Sequence, residues 1–271
     1  MKTTGQRFWI AAALLVTVLL ASCASNQSGS GRAELQTSSD QTDSQKRART
    51  HLQLAIGYFE QRQMNVALDE IKQTLNADPD SSDAYSVRAL IYMDMGETRL
   101  AEDNFQHAMR LAPNNPDLSN NYGWFLCQNG RAAESIAYFE ATLKDRSYQS
   151  PAKALNNAGV CSRKLKDNAA AERYFMQAFK YDPGNPATST NLAKIYYDRH
   201  DYERAHFYVS RVTKADVLTA DVLWLGIKIE HKLGNRPIEV SLATQLRRRH
   251  PNSPEYAAYQ RGAFDERDGN E

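Results

Sequence analysis

Two cysteines in the middle of the chain have a spacing that permits a covalent cross-link. Cys127 and Cys161 lie 34 residues apart, which equals the repeat period described below. If their thiols oxidise, the bridge closes a loop of about 34 residues and adds about 3 to 4 kcal/mol, provided that the two Cα atoms come within about 7 Å. The alternative is that both thiols stay reduced and fill space as small apolar side chains. The spacing leaves both possibilities open.

The N-terminus has the pattern of an export signal. Lys2 and Arg7 precede an apolar run over residues 8–20, and small residues follow it. The run is too short to span a bilayer, so residues 1–22 are predicted to be a bacterial secretory signal peptide rather than an anchor helix. Export would place the remaining cysteines in an oxidising compartment.

The third cysteine follows this signal directly. Cys23 comes after Leu-Ala-Ser at residues 20–22, which resembles a lipobox, in which the cysteine is acylated with chains such as palmitate and becomes the new N-terminus. Because each buried methylene contributes about 0.8 kcal/mol, several chains would hold the protein on a membrane. The next residue is Ala24, and the absence of Asp there favours the outer membrane. The alternative is a plain secretory signal that is cut elsewhere.

Other residue types that carry chemistry are dispersed. The six histidines show neither an HExxH motif nor Cys/His pairs at zinc spacing: His51, His107, His200, His206, His231 and His250. The chain also lacks a G-x-S-x-G motif, a P-loop and a dinucleotide-binding fingerprint. We therefore expect no catalytic residues, no metal site, no cofactor and no small-molecule substrate, and we do not expect an enzyme.

The charge balance argues against nucleic acid as a partner. The formal net charge is +1, and removal of the signal peptide takes away two basic residues and no acidic one, which leaves −1. The basic cluster Arg247–Arg249 is more simply explained as the solvated end of a late helix.

A repeat of 34 residues organises the rest of the chain. Residues at this spacing share their type, as in Tyr58 and Tyr92, Ala67 and Ala101, Ile71 and Phe105, and Pro79 and Pro113. Small residues where two helices meet and a proline that ends each unit are typical of tetratricopeptide repeats. The fold is therefore predicted to be all-α, a right-handed superhelix of about six tetratricopeptide-type helix-turn-helix repeats with a short C-terminal capping helix.

The boundaries follow from this pattern. Residues 23–47 are predicted to be the lipidated cysteine and a flexible tether, because they offer almost no large apolar side chains to bury. A coil of that composition spans about 25 Å. Residues 48–264 form the repeat array and its cap, with about two extra residues near Tyr148 in the third unit, and residues 265–271 form a polar tail.

The first helix of each unit is expected to line the inner face of the superhelix and to bind a partner there. Amide side chains in such a groove can hydrogen-bond an extended peptide, and an exposed tryptophan is a strong anchor. The alternative is that the asparagines tie neighbouring helices together and that the tryptophan belongs to the core. The candidate groove residues are Asn120, Asn121, Trp124, Asn156, Asn157, Lys164, Thr190, Asn191 and Lys194.

Four segments carry a more specific resemblance. In order, they are NNYGWFLCQNGR (120–131), ALNNAGVCSRK (154–164), LWLGIKIEHKLGN (223–235) and LRRRHPNSPEY (246–256). After a lipobox and a short tether, this arrangement resembles the type IV pilus pilotin family, PilF/PilW. The resemblance implies a periplasm-facing outer-membrane lipoprotein that binds the pilus secretin and promotes its localisation and multimerisation, and so supports twitching motility. The alternative is another lipid-anchored adaptor, linked to barrel assembly or to peptidoglycan.

Overall fold

The computed structural model describes residues 41–265, and within this range every regular element is an α-helix. The predicted signal peptide, Cys23, most of the tether and most of the polar tail lie outside the described residues. The thirteen helices of the described part are α1 (Asp43–Glu60), α2 (Met64–Ala77), α3 (Ser82–Asp94), α4 (Thr98–Leu111), α5 (Pro116–Gln128), α6 (Ala132–Lys144), α7 (Pro151–Lys164), α8 (Asn168–Tyr181), α9 (Pro186–Asp198), α10 (Tyr202–Lys214), α11 (Ala220–Leu233), α12 (Arg236–Arg249) and α13 (Pro254–Gln260).

The first twelve helices pair in sequence order into six hairpins, α1/α2 through α11/α12, and α13 packs against α11 and α12 as a cap. The predicted all-helical tetratricopeptide array is confirmed. None of the helices in the described part is both long and apolar enough to cross a membrane.

The first helix begins at Asp43, earlier than the boundary expected at residue 48. The hydroxyl of Ser44 donates a hydrogen bond of 2.7 Å to the carbonyl oxygen of Ala77, at the end of α2. Ala48 is buried on the same helix. These contacts tie the first turn of α1 to α2, so polar residues that look like tether in the sequence become part of the first hairpin.

Each hairpin places a small residue of its first helix against a large residue 16 positions later. Gly123 faces Phe139, Gly159 faces Phe175, and a Cβ atom added to either glycine would lie 3.0 Å or 2.6 Å from the facing ring. Both rings are fully buried. The glycines are therefore required for close approach of the two helices, as the repeat pattern predicts.

The turn inside every hairpin contains one residue with left-handed backbone conformation. Three of the six are glycines, namely Gly96, Gly130 and Gly234. The other three, Arg62, Lys166 and His200, have φ near +60°. A left-handed residue ends a helix by satisfying its last carbonyl groups, and side chains other than glycine pay a steric cost there. The same turn geometry thus recurs in all six hairpins although the residue type changes.

The units are joined by aromatic packing and by caps. The ring of Phe105 in the second hairpin lies 5.4 Å from that of Phe125 in the third, and the ring of Phe179 in the fourth lies 5.3 Å from that of Tyr208 in the fifth. The side chains of Asn115 and Asn185 accept hydrogen bonds from the first turns of α5 and α9. The Asn-Pro pairs thus end one unit and start the next.

The extra residues of the third unit form the loop between α6 and α7. Tyr148 in this loop is only 7% exposed, and its hydroxyl makes no hydrogen bond within the described residues. Burial, assisted by the negative charge of Asp117, raises the pKa of Tyr148 to about 12. The insertion therefore contributes a buried aromatic side chain.

Candidate partner-binding face

The first helices of neighbouring hairpins contact each other along the array, from α3 through α5, α7 and α9 to α11. We call the surface that they share the first-helix face. It is defined by Asn121, Trp124, Asn157, Lys164, Asn191, Lys194, Tyr197, Trp224 and His231. All nine of the groove residues predicted from the sequence lie on three of these helices, α5, α7 and α9.

Three of the predicted asparagines form a ladder of amides across hairpins two to four. Asn157 donates to the side-chain oxygen of Asn120 at 3.1 Å, and Asn120 donates to Asn121 at 3.4 Å. Asn121 in turn donates to the hydroxyl of Ser86 at 3.4 Å. The ladder fixes the position of α5 between α3 and α7.

The members of this ladder differ in how much of each side chain is exposed. Asn120 is 1% exposed, so it cannot contact a partner, and its predicted place in the groove is wrong. Its role is the alternative one, a tie between neighbouring helices. Asn121 and Asn157 are half-buried and keep part of each amide at the surface.

The remaining amide and hydroxyl side chains of the predicted groove lie on α7 and α9, and they differ in whether they are hydrogen-bonded. Asn156 accepts a hydrogen bond of 3.3 Å from the hydroxyl of Thr188, so it also links adjacent units. Thr190 and Asn191 are half-buried, and within the described part of the chain their side chains make no hydrogen bond. These two side chains are therefore the ones whose polar groups are open to a ligand.

Two lysines add positive charge to the face. Lys164 is exposed, and its ammonium group donates to the side chain of Gln128 at 2.9 Å. The ammonium group of Lys194 lies 3.9 Å from the carboxylate of Asp221 on α11. Neither contact is buried, so both lysines can exchange their present partner for a carboxylate of a bound protein.

Trp124 packs against the buried cluster that contains the two cysteines. It is half-buried against a cluster that contains Phe139 and Ala158. In the structure Cys127 and Cys161 are joined by a disulfide with 5.8 Å between their Cα atoms, which clamps the third hairpin to the fourth.

One carboxylate links the fourth and fifth hairpins by binding both a tyrosine and an arginine. Tyr196 donates to the carboxylate of Glu172 at 2.8 Å, and Arg199 pairs with the same carboxylate. Burial alone would raise the pKa of Glu172, but the hydrogen bonds from Tyr196 and Arg199 outweigh it and hold the pKa below its ordinary value. The group is therefore an anion at neutral pH and a fixed part of the array.

The sequence interpretation missed the part of the face on the last two hairpins. Lys228 is 3% exposed, and its ammonium group lies 5.3 Å from the ring of Tyr197 and 5.6 Å from that of Trp224. His231 lies one turn further along α11. The aromatic and basic residues of the LWLGIKIEHKLGN segment were a signal, but the segment was used only as part of the resemblance to the pilotin family.

The remaining polar clusters are paired within the protein. Within residues 41–265 no group of three His, Cys, Asp or Glu side chains is arranged to hold a metal ion. A cleft of about 200 Å³ lies beside His206 and Glu230, and the Glu230 carboxylate is bonded to His206 and, at 2.8 Å, to Asn235. The groups that remain for binding a polypeptide chain are the amides, ammonium groups and aromatic rings of the first-helix face.

Comparison with known proteins identifies the repeat family. Residues 32–205 match the family described as tetratricopeptide repeat. The type IV pilus assembly protein PilF of Pseudomonas aeruginosa is 27% identical over 210 residues, which cover 78% of this chain and 83% of PilF.

Two solved structures are similar over most of the chain. The crystal structure of PilW, a widely conserved type IV pilus biogenesis factor, has a TM-score of 0.71 at 32% identity and covers 79% of this chain and 98% of PilW. The structure of Pseudomonas aeruginosa PilF has a TM-score of 0.74 at 25% identity, with 82% and 100% of the two chains covered.

Proposed function

Because the chain belongs to the tetratricopeptide repeat family and, within it, to the PilF and PilW proteins of type IV pilus biogenesis, we propose that it is a lipid-anchored scaffold for the pilus secretin. It binds the secretin, promotes its arrival and multimerisation in the outer membrane, and so supports pilus assembly and twitching motility. The observation that carries this proposal is the match to PilW, which extends over 98% of that protein and 79% of this chain.

The location is proposed from the N-terminal sequence. Acylation of Cys23 anchors the mature protein, and Ala24 in place of Asp favours the outer membrane with the array facing the periplasm. Two partners held on one surface meet at a raised effective concentration without any additional contact. The anchor and the array therefore act together.

Cys23→Ala tests the anchor. The variant is expected to fold, because the substituted residue precedes the array, but to be recovered in soluble or inner-membrane fractions. Fractionation followed by immunoblotting measures this. Recovery of the variant in the outer membrane at the wild-type level would contradict lipid anchoring through Cys23.

The contact with the secretin is assigned to the polar half of the first-helix face. Thr190 and Asn191 offer hydrogen-bonding groups that no other described residue engages, and Lys164 and Lys194 supply positive charge on the same face. An extended segment of a secretin subunit with carboxylates at intervals fits this arrangement through backbone hydrogen bonds and ion pairs.

The double variant Lys164→Glu, Lys194→Glu tests this assignment in cells. We expect fewer secretin multimers on immunoblots and less secretin captured by crosslinking. A matched control is Lys72→Glu, Lys180→Glu, which makes the same charge change at exposed positions on the second helices α2 and α8. Equal multimer levels in both variants would overturn the assignment to this face.

The second candidate is another lipid-anchored adaptor of the cell envelope, for barrel assembly or for peptidoglycan. It shares the anchor and the array but binds other proteins. A strain that lacks this protein distinguishes the two. Normal secretin multimers together with defective outer-membrane barrels or cell-wall attachment would favour the adaptor.

A further inference from the structure

The C-terminal segment Gly262–Asp265 lies against the first-helix face of the last two hairpins. The ring of Phe264 stacks on the imidazole of His231, with 3.8 Å between ring centroids and 5° between planes, and lies 5.6 Å from the ring of Trp224. The hydroxyl of Tyr197 donates to the carbonyl oxygen of Phe264 at 3.1 Å. One side chain and one backbone group are thus held as those of a bound peptide are.

An ion pair holds the next residue. The carboxylate of Asp265 pairs with the ammonium group of Lys232, and the hydrogen bond from this lysine lowers the pKa of Asp265. The Asp265 side chain is 84% exposed, so the pair fixes the direction of the segment more than it adds stability. The contacts select an aromatic residue followed directly by an acidic one.

The surface below the segment is aromatic and cationic. The buried ammonium group of Lys228 lies against the rings of Tyr197 and Trp224. The rings supply apolar area for an aromatic side chain, and Lys228 and Lys232 supply positive charge beside it. This chemistry matches a peptide that carries both a ring and a carboxylate.

The segment follows a short helix whose contacts with the array are only partly buried. The helix before it, α13, has seven residues and none of them is buried. Gly262, with φ of +69°, reverses the chain, and its N–H donates to the carbonyl oxygen of Tyr259 at 3.0 Å. A short element with few buried contacts opens at low free-energy cost compared with the whole fold.

We propose that Tyr197, Trp224, His231 and Lys232 form a peptide-binding subsite that the chain's own Gly262–Asp265 segment fills. A partner peptide with an aromatic residue followed by an acidic residue exchanges with this segment. The inference rests on the proposed role of the array as a peptide-binding scaffold, but it does not require the partner to be the secretin.

The test uses the full-length chain and a fluorescein-labelled peptide with the sequence of residues 258–271. In the variant Phe264→Ala the intramolecular competitor loses its ring, so the peptide is expected to bind about tenfold or more tightly than to the wild type. Fluorescence anisotropy measures this. The control Phe207→Ala removes a half-exposed ring on α10 and is expected to bind like the wild type.

A charge exchange keeps the test independent of any loss of folding. Lys232→Glu leaves all aromatic contacts intact and is expected to prefer a peptide in which the residue corresponding to Asp265 is lysine. A purely structural role of the ion pair predicts no such preference.

Three outcomes would overturn the proposal. One is that folded Phe264→Ala protein, as shown by circular dichroism, does not bind the peptide. Another is that it binds no better than the wild type. The third is that the wild type forms dimers which Phe264→Ala abolishes, because the segment would then join two copies. Loss of secretin capture in the lysine variants affects none of these measurements, so the two proposals fail separately.

Discussion

Gly159→Ala should destabilise the fourth hairpin although alanine is the better helix former. The added Cβ atom would lie 2.6 to 2.8 Å from three ring atoms of Phe175. Phe175 is fully buried in the cluster that also contains Ala171 and Tyr196. The ring cannot move away without displacing the neighbouring hairpin, so either α7 and α8 separate or the ring leaves its preferred rotamer.

The magnitude follows from two opposing effects. Overpacking of a buried site costs about 1–3 kcal/mol, and replacing glycine by alanine within a helix returns about 0.5–1 kcal/mol. We expect a net loss of about 1–2 kcal/mol, which lowers the melting temperature of a domain of this size by roughly 2–8 °C.

Gly57→Ala is the matched control. Gly57 lies within α1, has an ordinary helical backbone, and has no atom within 4 Å of the added Cβ. The same substitution should therefore stabilise the protein by about 0.5–1 kcal/mol. Gly123→Ala, with contacts of 3.0 to 3.3 Å, should fall between the two.

Urea and thermal unfolding followed by circular dichroism at 222 nm measure the three variants. Because repeat arrays can unfold in segments, the midpoints are compared only where single transitions of equal slope are seen. If Gly159→Ala melted at or above the wild-type temperature, the argument that glycine is required for helix approach would be refuted. Equal shifts for Gly159 and Gly57 would refute it as well.

Other predictions follow from the same structure. Lys166→Gly should raise the free energy of unfolding by about 0.5 kcal/mol in urea titrations, because Lys166 has φ of 61° and glycine adopts this conformation without strain. Gly130→Ala, at the equivalent turn, should lower the free energy of unfolding by about 1 kcal/mol. Glu172→Gln should lower stability by less than about 1 kcal/mol at neutral pH. Because the folded pKa of Glu172 is lowered, this contribution is present above the ordinary glutamate pKa and is lost as the pH falls through the folded value. Wild type and variant should therefore converge in acid, and a constant difference down to pH 3 would contradict the ion-pair explanation. The double variant Cys127→Ala, Cys161→Ala should lose about 2–4 kcal/mol, because the bridge closes a loop of 34 residues. Reductant should destabilise the wild type but not this variant.

The repeat architecture could be predicted from the sequence. The spacing of Ala67 and Ala101, of Ile71 and Phe105, and of Pro79 and Pro113 defined the hairpins, and the structure contains them. This works because contacts within a hairpin join residues that are close in sequence, so a small residue and its large partner 16 positions later leave a local pattern. The capping helix after Ser253 was predicted from another local pattern, the helical spacing of Tyr256, Tyr259 and Phe264.

The role of individual polar residues could not be predicted in this way. Asn120 and Asn121 are adjacent in sequence and equal in type, yet Asn120 is buried between α5 and α7 while Asn121 keeps part of its amide at the surface. The difference depends on the angle between successive hairpins, which periodicity does not encode.

The sequence by itself thus determined the number of hairpins, their small-residue contacts and the cap. Only the tertiary structure decided that the asparagines form a ladder and that Phe264 covers Trp224 and His231. The physical reason is that these features depend on contacts between hairpins and across the C-terminal turn. Such contacts are set by how rigid units pack, and a pattern repeated within each unit carries no information about them.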